Sequence, residues 1–145
     1  MYPAKLAQDE GYHQLVWTDG KTHEYIEESG TMNVMFVIDD VLITPALSDS
    51  ILAGITRQSV LELARQWGMA VEERKISVKE LVTAMEKDKV QEAFGAGTAA
   101  TIAHIETIGH EGKNLCSHHP WRSACLRIKY LLNSRVLNAE KILIH

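Results

Sequence analysis

The sequence is short of cysteine and proline and has no long hydrophobic run. Its two cysteines among 145 residues, Cys116 and Cys125, are too few for a disulfide-stabilised scaffold and favour a reducing compartment. The longest uninterrupted apolar run, Val34 to Ile38, has five residues, whereas a membrane-spanning helix needs about 20. No apolar segment typical of a signal peptide follows Met1. We therefore expect a cytoplasmic protein without a membrane span.

Basic residues are also scarce over most of the chain, but not at its end. Residues 1–112 contain 9 Lys and Arg against 18 Asp and Glu, a net charge of −9, whereas residues 113–145 contain 6 against 1, a net charge of +5; together these give the −4 of the whole chain. We therefore divide the sequence into residues 1–112 and a divergent basic tail. Basic tails can bind nucleic acid, but this one has no interleaved aromatic pattern or known motif, so no nucleic-acid partner is expected.

Strand signals dominate the first third of the chain. The composition, 46% hydrophobic and 23% charged, is that of a folded globular chain. Met32 to Ile38 and Val41 to Thr44 are rich in strand-forming residues and flank Asp39-Asp40, which predicts a β-hairpin. A further strand is expected at Leu15 to Trp17, with a partner strand from Thr22 to Ile26.

Two helices are predicted by different signals. Ser77 and Glu80 have the spacing of a capping box, in which Ser77 accepts from the Glu80 N–H and the Glu80 carboxylate reaches back, so a helix should run from Val78 to Glu86. Between Gly54 and Gly68, apolar residues recur at helical spacing and predict an amphipathic helix: Val60, Leu63, Ala64 and Trp67. Strand and helix signals together predict a mixed α/β (α+β) fold.

The start of the first helix has the features of an anion-binding site. Gly54 lets the backbone approach a ligand, and the first-turn N–H groups with the helix dipole favour a negative charge. Thr56 can add a hydroxyl donor, and phosphate is the obvious ligand. An ordinary helix start with a polar cap is the alternative interpretation.

Two other segments carry small or acidic residues that a simple core does not need. Gly95 and Gly97, followed by Thr98, can form a nest of backbone N–H groups for an anion. The alternative is a strand bend whose glycines allow close packing. Glu28 can pair with a buried cation, or it can lie on the solvated surface beside Glu27.

Three strings of sequence, Tyr25 to Phe36, Leu47 to Val60 and Ala93 to Ala100, occur in a distinctive order and spacing. They resemble the C-terminal half of branched-chain amino acid aminotransferases, class IV (fold-type IV) enzymes that depend on pyridoxal 5'-phosphate (PLP). The resemblance extends from Tyr2 to Gly112. It implies part of the large C-terminal domain of the D-amino acid aminotransferase-like PLP fold, and a homodimer in the full-length family.

The resemblance implies PLP-binding roles for five residues. Glu28 matches the carboxylate that pairs with the protonated pyridine nitrogen, and a cationic ring is the better electron sink. Leu52 matches a residue that packs on the ring. Ile55 and Thr56 match the phosphate cup, and Thr98 matches a further phosphate contact.

The resemblance also implies the substrates. The backbone N–H groups of Thr98 and Ala99, with Thr31 nearby, would hold the substrate carboxylate. In the implied reaction, a branched-chain amino acid (leucine, isoleucine or valine) gives its amino group to PLP, and 2-oxoglutarate then collects it as glutamate. Such a protein is a transferase of branched-chain amino acid biosynthesis.

No catalytic residue of the family is expected in this sequence. The family's Schiff-base lysine lies in a Lys-x-Gly-Gly-Asn-Tyr-like segment that the resemblance places before Met1, and Lys5 is not followed by Gly-Gly-Asn-Tyr. Because this lysine is both covalent anchor and base, we expect the chain alone to be inactive. The alternatives are a non-catalytic fragment or interaction module that retains part of the PLP cup, and a class IV lyase similar to aminodeoxychorismate lyase.

Residues beyond Lys113 depart from the family and include ligand types found in zinc sites: Cys116, His118, His119 and Cys125. Their spacing matches no standard zinc pair. We therefore expect no bound metal, and the tail is assigned no chemical role.

Overall fold

The computed structural model describes residues 5, 9–12, 14–29, 32–97, 102–116 and 140–144. Its strands are β1 Gln14–Thr18, β2 Ile26–Ser29, β3 Met32–Ile38, β4 Val41–Thr44, β5 Ala70–Glu73, β6 Val90–Ala96, β7 Ile102–His110, β8 Lys113–Cys116 and β9 Glu140–Ile144. Its longer helices are α1 Ile55–Gln66 and α2 Val78–Glu86. The mixed α/β fold predicted from the sequence is confirmed.

β3 and β4 form a hairpin with a two-residue turn. The turn residues Asp39 and Asp40 have φ angles of 49° and 64°, and this left-handed conformation at both positions matches the twist of the flanking strands. The backbone N–H of Asp40 donates to the Gln91 side chain at 2.7 Å, and the Gln91 amide donates back to the Asp40 carboxylate at 2.8 Å. The hairpin predicted from the sequence is confirmed.

The strands form one sheet in which six strands close into a ring. β3 pairs with β2 and β6, β6 with β7, β7 with β9, β9 with β1, and β1 with β2. β4 and β5 extend the sheet from β3, and β8 pairs with β7. β9 runs parallel to both of its neighbours. Residues 113–116 and 140–144, on the basic side of the charge boundary, thus belong to the same sheet as the acidic segment.

β3 is buried along its whole length because it separates two hydrophobic cores. Side chains alternate between the two faces of a strand: Val34, Phe36 and Ile38 belong to the core that α2 covers, whereas Met35 and Val37 belong to the core that α1 covers. The helices contribute Val60, Leu61 and Ala64 from α1, and Val78, Leu81, Ala84 and Met85 from α2. The continuous apolar run of β3 therefore reflects burial on both sides.

Both predicted helices are present, and one capping detail differs. Ser77 Oγ accepts from the Glu80 N–H at 3.0 Å, as predicted. The Glu80 carboxylate does not reach back, which corrects that half of the capping box. It accepts two bonds from the Arg74 guanidinium instead, and a bidentate pair with an opposite charge is stronger than one bond to a backbone N–H. In the described part of the chain, no helix has the length and apolar character needed to cross a membrane.

The connection between β1 and β2 is a turn organised by Asp19, and the strand predicted from Thr22 to Ile26 is wrong. β2 begins at Ile26 and runs to Ser29. The Asp19 carboxylate accepts backbone N–H bonds from Tyr25, Thr22 and Glu24 at 2.8–2.9 Å. These bonds stabilise the charged form and hold the pKa of Asp19 well below its usual range. Local side-chain bonds of this kind favour a turn over a strand.

A buried arginine links α1 to the edge of the sheet. The Arg57 side chain is only 2% exposed. Its guanidinium donates to the Pro45 carbonyl at 3.2 Å and to Glu73 Oε1 at 2.8 Å. The second oxygen of Glu73 accepts from Arg65 at 3.0 Å. Arg57 therefore ties the first turn of α1 to β5 and to the residue that follows β4.

The Arg57 pair makes stability depend on pH through Glu73. The hydrogen bond from Arg57 lowers the pKa of Glu73 below its ordinary 4.5. A lowered folded-state pKa stabilises the fold at pH values above 4.5, and this contribution is lost as the pH falls through the folded-state pKa. We expect Glu73→Gln to lower the free energy of unfolding at neutral pH by about 1 kcal/mol, because solvent screens the partly exposed carboxylate.

Denaturant unfolding between about pH 7 and pH 3 measures this contribution. The difference between wild type and Glu73→Gln should shrink as the pH falls. Glu72→Gln is the matched control on the same strand, because Glu72 is more exposed and pairs with Arg74 at the surface; it should change stability by less than about 0.5 kcal/mol. A pH-independent difference for Glu73→Gln would contradict the assignment.

Candidate functional site

The ends of three neighbouring strands meet at one end of the sheet. Glu28 of β2 lies opposite Asn33 of β3, and Asn33 lies opposite Ala96 of β6. Because β3 lies between β2 and β6, the three residues form a row across the sheet. Gly97 directly follows the end of β6. Two of the three segments singled out in the sequence are therefore side by side.

The loop between β4 and α1, residues 45–54, is bonded to this row through the backbone of Leu52. The Leu52 N–H donates to Glu28 Oε1 at 2.7 Å. The Leu52 carbonyl accepts from Asn33 Nδ2, also at 2.7 Å. One peptide segment is thus held by a carboxylate on β2 and an amide on β3, and the third segment joins the other two.

α1 begins against the same row. Gly54 is the N-cap residue, and a Cβ built on it would lie 2.5 Å from Asn33 Oδ1, so only glycine fits without a shift. The hydroxyl of Thr56 donates to the Gly97 carbonyl at 3.3 Å, a long and hence weak bond. The first turn of α1 therefore lies beside the end of β6.

The site combines three chemical features. Leu52 and Ile55 expose 70% and 81% of their surface, which is unusual for large apolar side chains. The N-cap makes no side-chain hydrogen bond to the first turn of α1, which contains no acidic residue, so its N–H groups and the helix dipole can receive an anion. Glu28 offers a carboxylate acceptor. The arrangement suits a ligand with an apolar body, an anionic group at one end and a cationic donor at the other.

The structure brings together four of the residues assigned by resemblance: Glu28, Leu52, Ile55 and Thr56. The Glu28 and Glu27 carboxylates bond different parts of the loop. Glu27 Oε1 accepts from the Ser50 hydroxyl at 2.8 Å, whereas Glu28 accepts from Leu52. Three further residues assigned by resemblance lie outside the described residues: Thr31, Thr98 and Ala99.

Gly95 serves packing, the alternative interpretation of the glycine-rich bend. It is buried within β6, and a Cβ at this position would lie 2.9–3.2 Å from three side-chain atoms of Met32. A larger residue would push Met32 away from the strand. The nest interpretation therefore does not apply to Gly95, whereas Gly97 contributes its carbonyl to Thr56.

Sequence reasoning gave no role to Asn33 or Arg57, although both lie within the strings quoted above. Asn33 is 5% exposed and Arg57 is 1% exposed. Asparagine is disfavoured in strands, so an Asn at the start of a β-rich run is a usable signal. A charged residue is rarely buried without a partner, but only the fold reveals that the partner is Glu73.

One cavity lies next to the site, and another lies away from it. One, of about 600 Å³, is lined by Glu27, Ser50 and Ile51 on one side and by Tyr25 and Lys75 on the other. The second, of about 590 Å³, lies between α2 and the β7–β8 hairpin. Neither of these two cavities is lined by Glu28, Thr56 or Gly97. Within the described ranges no group of three or more His, Cys, Asp or Glu side chains is placed to hold a metal; His118, His119 and Cys125 lie outside them.

Residues 1–108 match the family model of amino-transferase class IV. A probable branched-chain-amino-acid aminotransferase of Staphylococcus epidermidis is 46% identical over 105 residues, which are 72% of this chain and 29% of that protein. The chain thus spans about three tenths of the length of the curated relatives it matches.

Two solved structures that superpose on this chain are also branched-chain amino acid aminotransferases. The branched-chain amino acid aminotransferase of Escherichia coli superposes with a TM-score of 0.73 at 28% identity, covering 90% of this chain and 39% of that one. The branched-chain amino acid aminotransferase of Thermobaculum terrenum, described in its PLP form, gives a TM-score of 0.73 at 27% identity, with 90% and 39% coverage. The architecture of the described residues is therefore that of fold-type IV aminotransferases.

The contact between Gly54 and Asn33 predicts the effect of adding one methyl group. Gly54→Ala should lower the free energy of unfolding by about 1–3 kcal/mol, because the new Cβ overlaps Asn33 Oδ1 in a packed contact. Gly20→Ala is the matched control, since no atom lies within 4 Å of a Cβ there, and it should be neutral or slightly stabilising. Denaturant unfolding measures both. Equal effects of the two substitutions would contradict the close contact.

Proposed function

The chain belongs to the class IV aminotransferase family, and from this membership we propose that it is part of the PLP-binding domain of a branched-chain amino acid aminotransferase. The proposed reaction transfers the amino group of leucine, isoleucine or valine to 2-oxoglutarate. The names of the curated relatives support this choice over a class IV lyase. The cytoplasmic location and the homodimer expected from the resemblance stay predictions.

The residues present fit PLP. PLP has a planar aromatic ring, a phosphate at one end and a ring nitrogen that can carry a proton. The exposed apolar side chain of Leu52 suits the ring, and the uncapped start of α1, at Ile55 and Thr56, suits the phosphate. Among the described residues, Glu28 accepts one bond, from Leu52, and a carboxylate can accept more. The three features occur on one surface, and this convergence carries the proposal.

PLP, when bound, is an electron sink that stabilises negative charge at the substrate Cα. Glu28 would hold the proton on the ring nitrogen, since a nearby carboxylate favours the cationic form. Leu52 would cover one face of the ring and exclude water from it. The N–H groups of the α1 first turn and the Thr56 hydroxyl would bind the phosphate, with Ile55 beside them. These residues fix the cofactor at both ends.

Substrate binding is proposed from the resemblance for Thr31, Thr98 and Ala99. Their backbone N–H groups and hydroxyls are suitable donors for an amino acid carboxylate. The 145-residue sequence contains no Lys-x-Gly-Gly-Asn-Tyr segment. The proposal therefore assigns cofactor and substrate binding to these residues, and not the covalent anchor or the general base.

Direct titration of the chain with PLP tests the proposal at both ends of the cofactor. Glu28→Gln keeps an acceptor for the Leu52 N–H but loses the charge, and it should weaken binding of both PLP and pyridoxal by about 10- to 100-fold. Thr56→Val should weaken binding of PLP. It should leave the affinity for pyridoxal unchanged, because pyridoxal has no phosphate. Fluorescence or absorbance titration gives the dissociation constants.

Glu27→Gln is the matched control, because Glu27 is adjacent in sequence but bonds Ser50. It should leave both dissociation constants within about twofold of wild type. No saturable PLP binding by the wild-type chain, or equal losses for Glu27→Gln and Glu28→Gln, would overturn the proposed site.

A further inference from the structure

Asn33 is a buried polar side chain at the centre of the strand row. We propose that Asn33 is a positioning residue: it holds the Leu52–Gly54 segment so that the Leu52 N–H reaches Glu28 and the start of α1 opens onto the same surface. Its purpose rests on the proposed function, because the surface it organises is the cofactor site. The geometry of the side chain can be tested without cofactor.

The Asn33 amide meets the loop through one hydrogen bond and one close packing approach. Nδ2 donates to the Leu52 carbonyl at 2.7 Å. Oδ1 lies against Gly54, where a Cβ would approach it to 2.5 Å. The side chain thus contacts the loop at two points that are two residues apart. These two contacts together restrict the orientation of the Leu52–Gly54 segment more than the hydrogen bond alone would.

The position of Asn33 in the fold explains why its contacts with the loop affect the geometry of the site as well as stability. Asn33 and Glu28 are directly opposite each other in the β2–β3 pairing. They bond the carbonyl and the N–H of the same residue, Leu52. Displacing Asn33 therefore moves the donor that orients the Glu28 carboxylate. The same displacement moves Gly54, the N-cap of α1, and with it the N–H groups of the first turn.

Asparagine is the side chain that suits this position. Its amide supplies a donor for the Leu52 carbonyl and is short enough to stay beside the strand. Aspartate would offer no donor and would place a second carboxylate opposite Glu28, where like charges destabilise a strand pair. Leucine would offer no donor, and the Leu52 carbonyl would keep only the bond from the Gly54 N–H at 3.0 Å.

Amide hydrogen exchange in the cofactor-free chain tests the positioning. Asn33→Ala should raise the exchange rate of the Leu52 N–H about tenfold. This is the effect expected from losing the Asn33 bond that holds the Leu52 carbonyl. The exchange rate of the Leu42 amide in β4, which does not contact Asn33, should be unchanged. Asn114→Ala is the matched control, because it removes an Asn side chain that accepts from the Tyr12 hydroxyl at the β7–β8 hairpin; it should leave Leu52 exchange as in wild type.

A double-mutant cycle gives an independent measurement. Gly54→Ala places a methyl group against Asn33 Oδ1, so it should also accelerate Leu52 exchange with Asn33 intact. In the Asn33→Ala background the obstructing oxygen is gone, and adding Gly54→Ala should cause little further change. Gly54→Ala keeps the test decisive if Asn33→Ala does not fold. Additive effects, or unchanged Leu52 exchange in Gly54→Ala and in any folded Asn33→Ala, would overturn the positioning role.

PLP titration separates this proposal from the proposed function. In a chain that binds PLP, Asn33→Ala should weaken pyridoxal binding by about tenfold, because Glu28 loses its orientation, and should weaken PLP binding by at least as much, because the first turn of α1 also moves. Unchanged affinities for both would overturn the role of Asn33 at the cofactor site. If the wild-type chain binds no PLP, the proposed function fails, and the exchange measurements still decide whether Asn33 positions Leu52.

Discussion

The backbone of Leu52 is bonded from two sides, through its N–H to Glu28 and through its carbonyl to Asn33. Glu28 belongs to β2 and Asn33 to β3, so these two bonds fix one loop to adjacent strands. α1 begins three residues after Leu52. The position of its first turn relative to the Glu28 carboxylate is therefore set by the same two bonds, and the chemistry of the site depends on them.

The register of β3, the central strand of the row, is strongly specified because the strand has a hydrophobic core on each face. Its odd and even residues are buried under different helices, so a shift of register by one residue would exchange the two sets. Arg57 adds a second constraint, since it ties the first turn of α1 to Pro45 and Glu73. The loop that carries Leu52 is thus fixed at its beginning, in its middle and at its end.

The charges of the site are separated along the loop. The Glu28 carboxylate bonds the loop at Leu52 and does not cap α1, whose first turn contains no acidic residue. The helix N–H groups therefore stay available to an external anion. A surface with an acceptor at one end, an anion site at the other and apolar side chains between them matches the polarity of PLP.

Local sequence signals predict most helices and strands of this protein, whereas their mutual positions follow from contacts between distant residues. The β3–β4 hairpin and the bounds of α2 could be predicted because strand propensity, turn residues and a capping serine act over a few positions. The extent of the β1–β2 turn was wrong, because the Asp19 carboxylate holds residues 22–25 in the turn through several hydrogen bonds. The second half of the capping box was wrong because Arg74 binds the Glu80 carboxylate. The ring closure by β9, the packing of Gly95 under Met32 and the contacts of Asn33 depend on residues far apart in the chain. Their partners are set by strand register and burial, which no local pattern encodes.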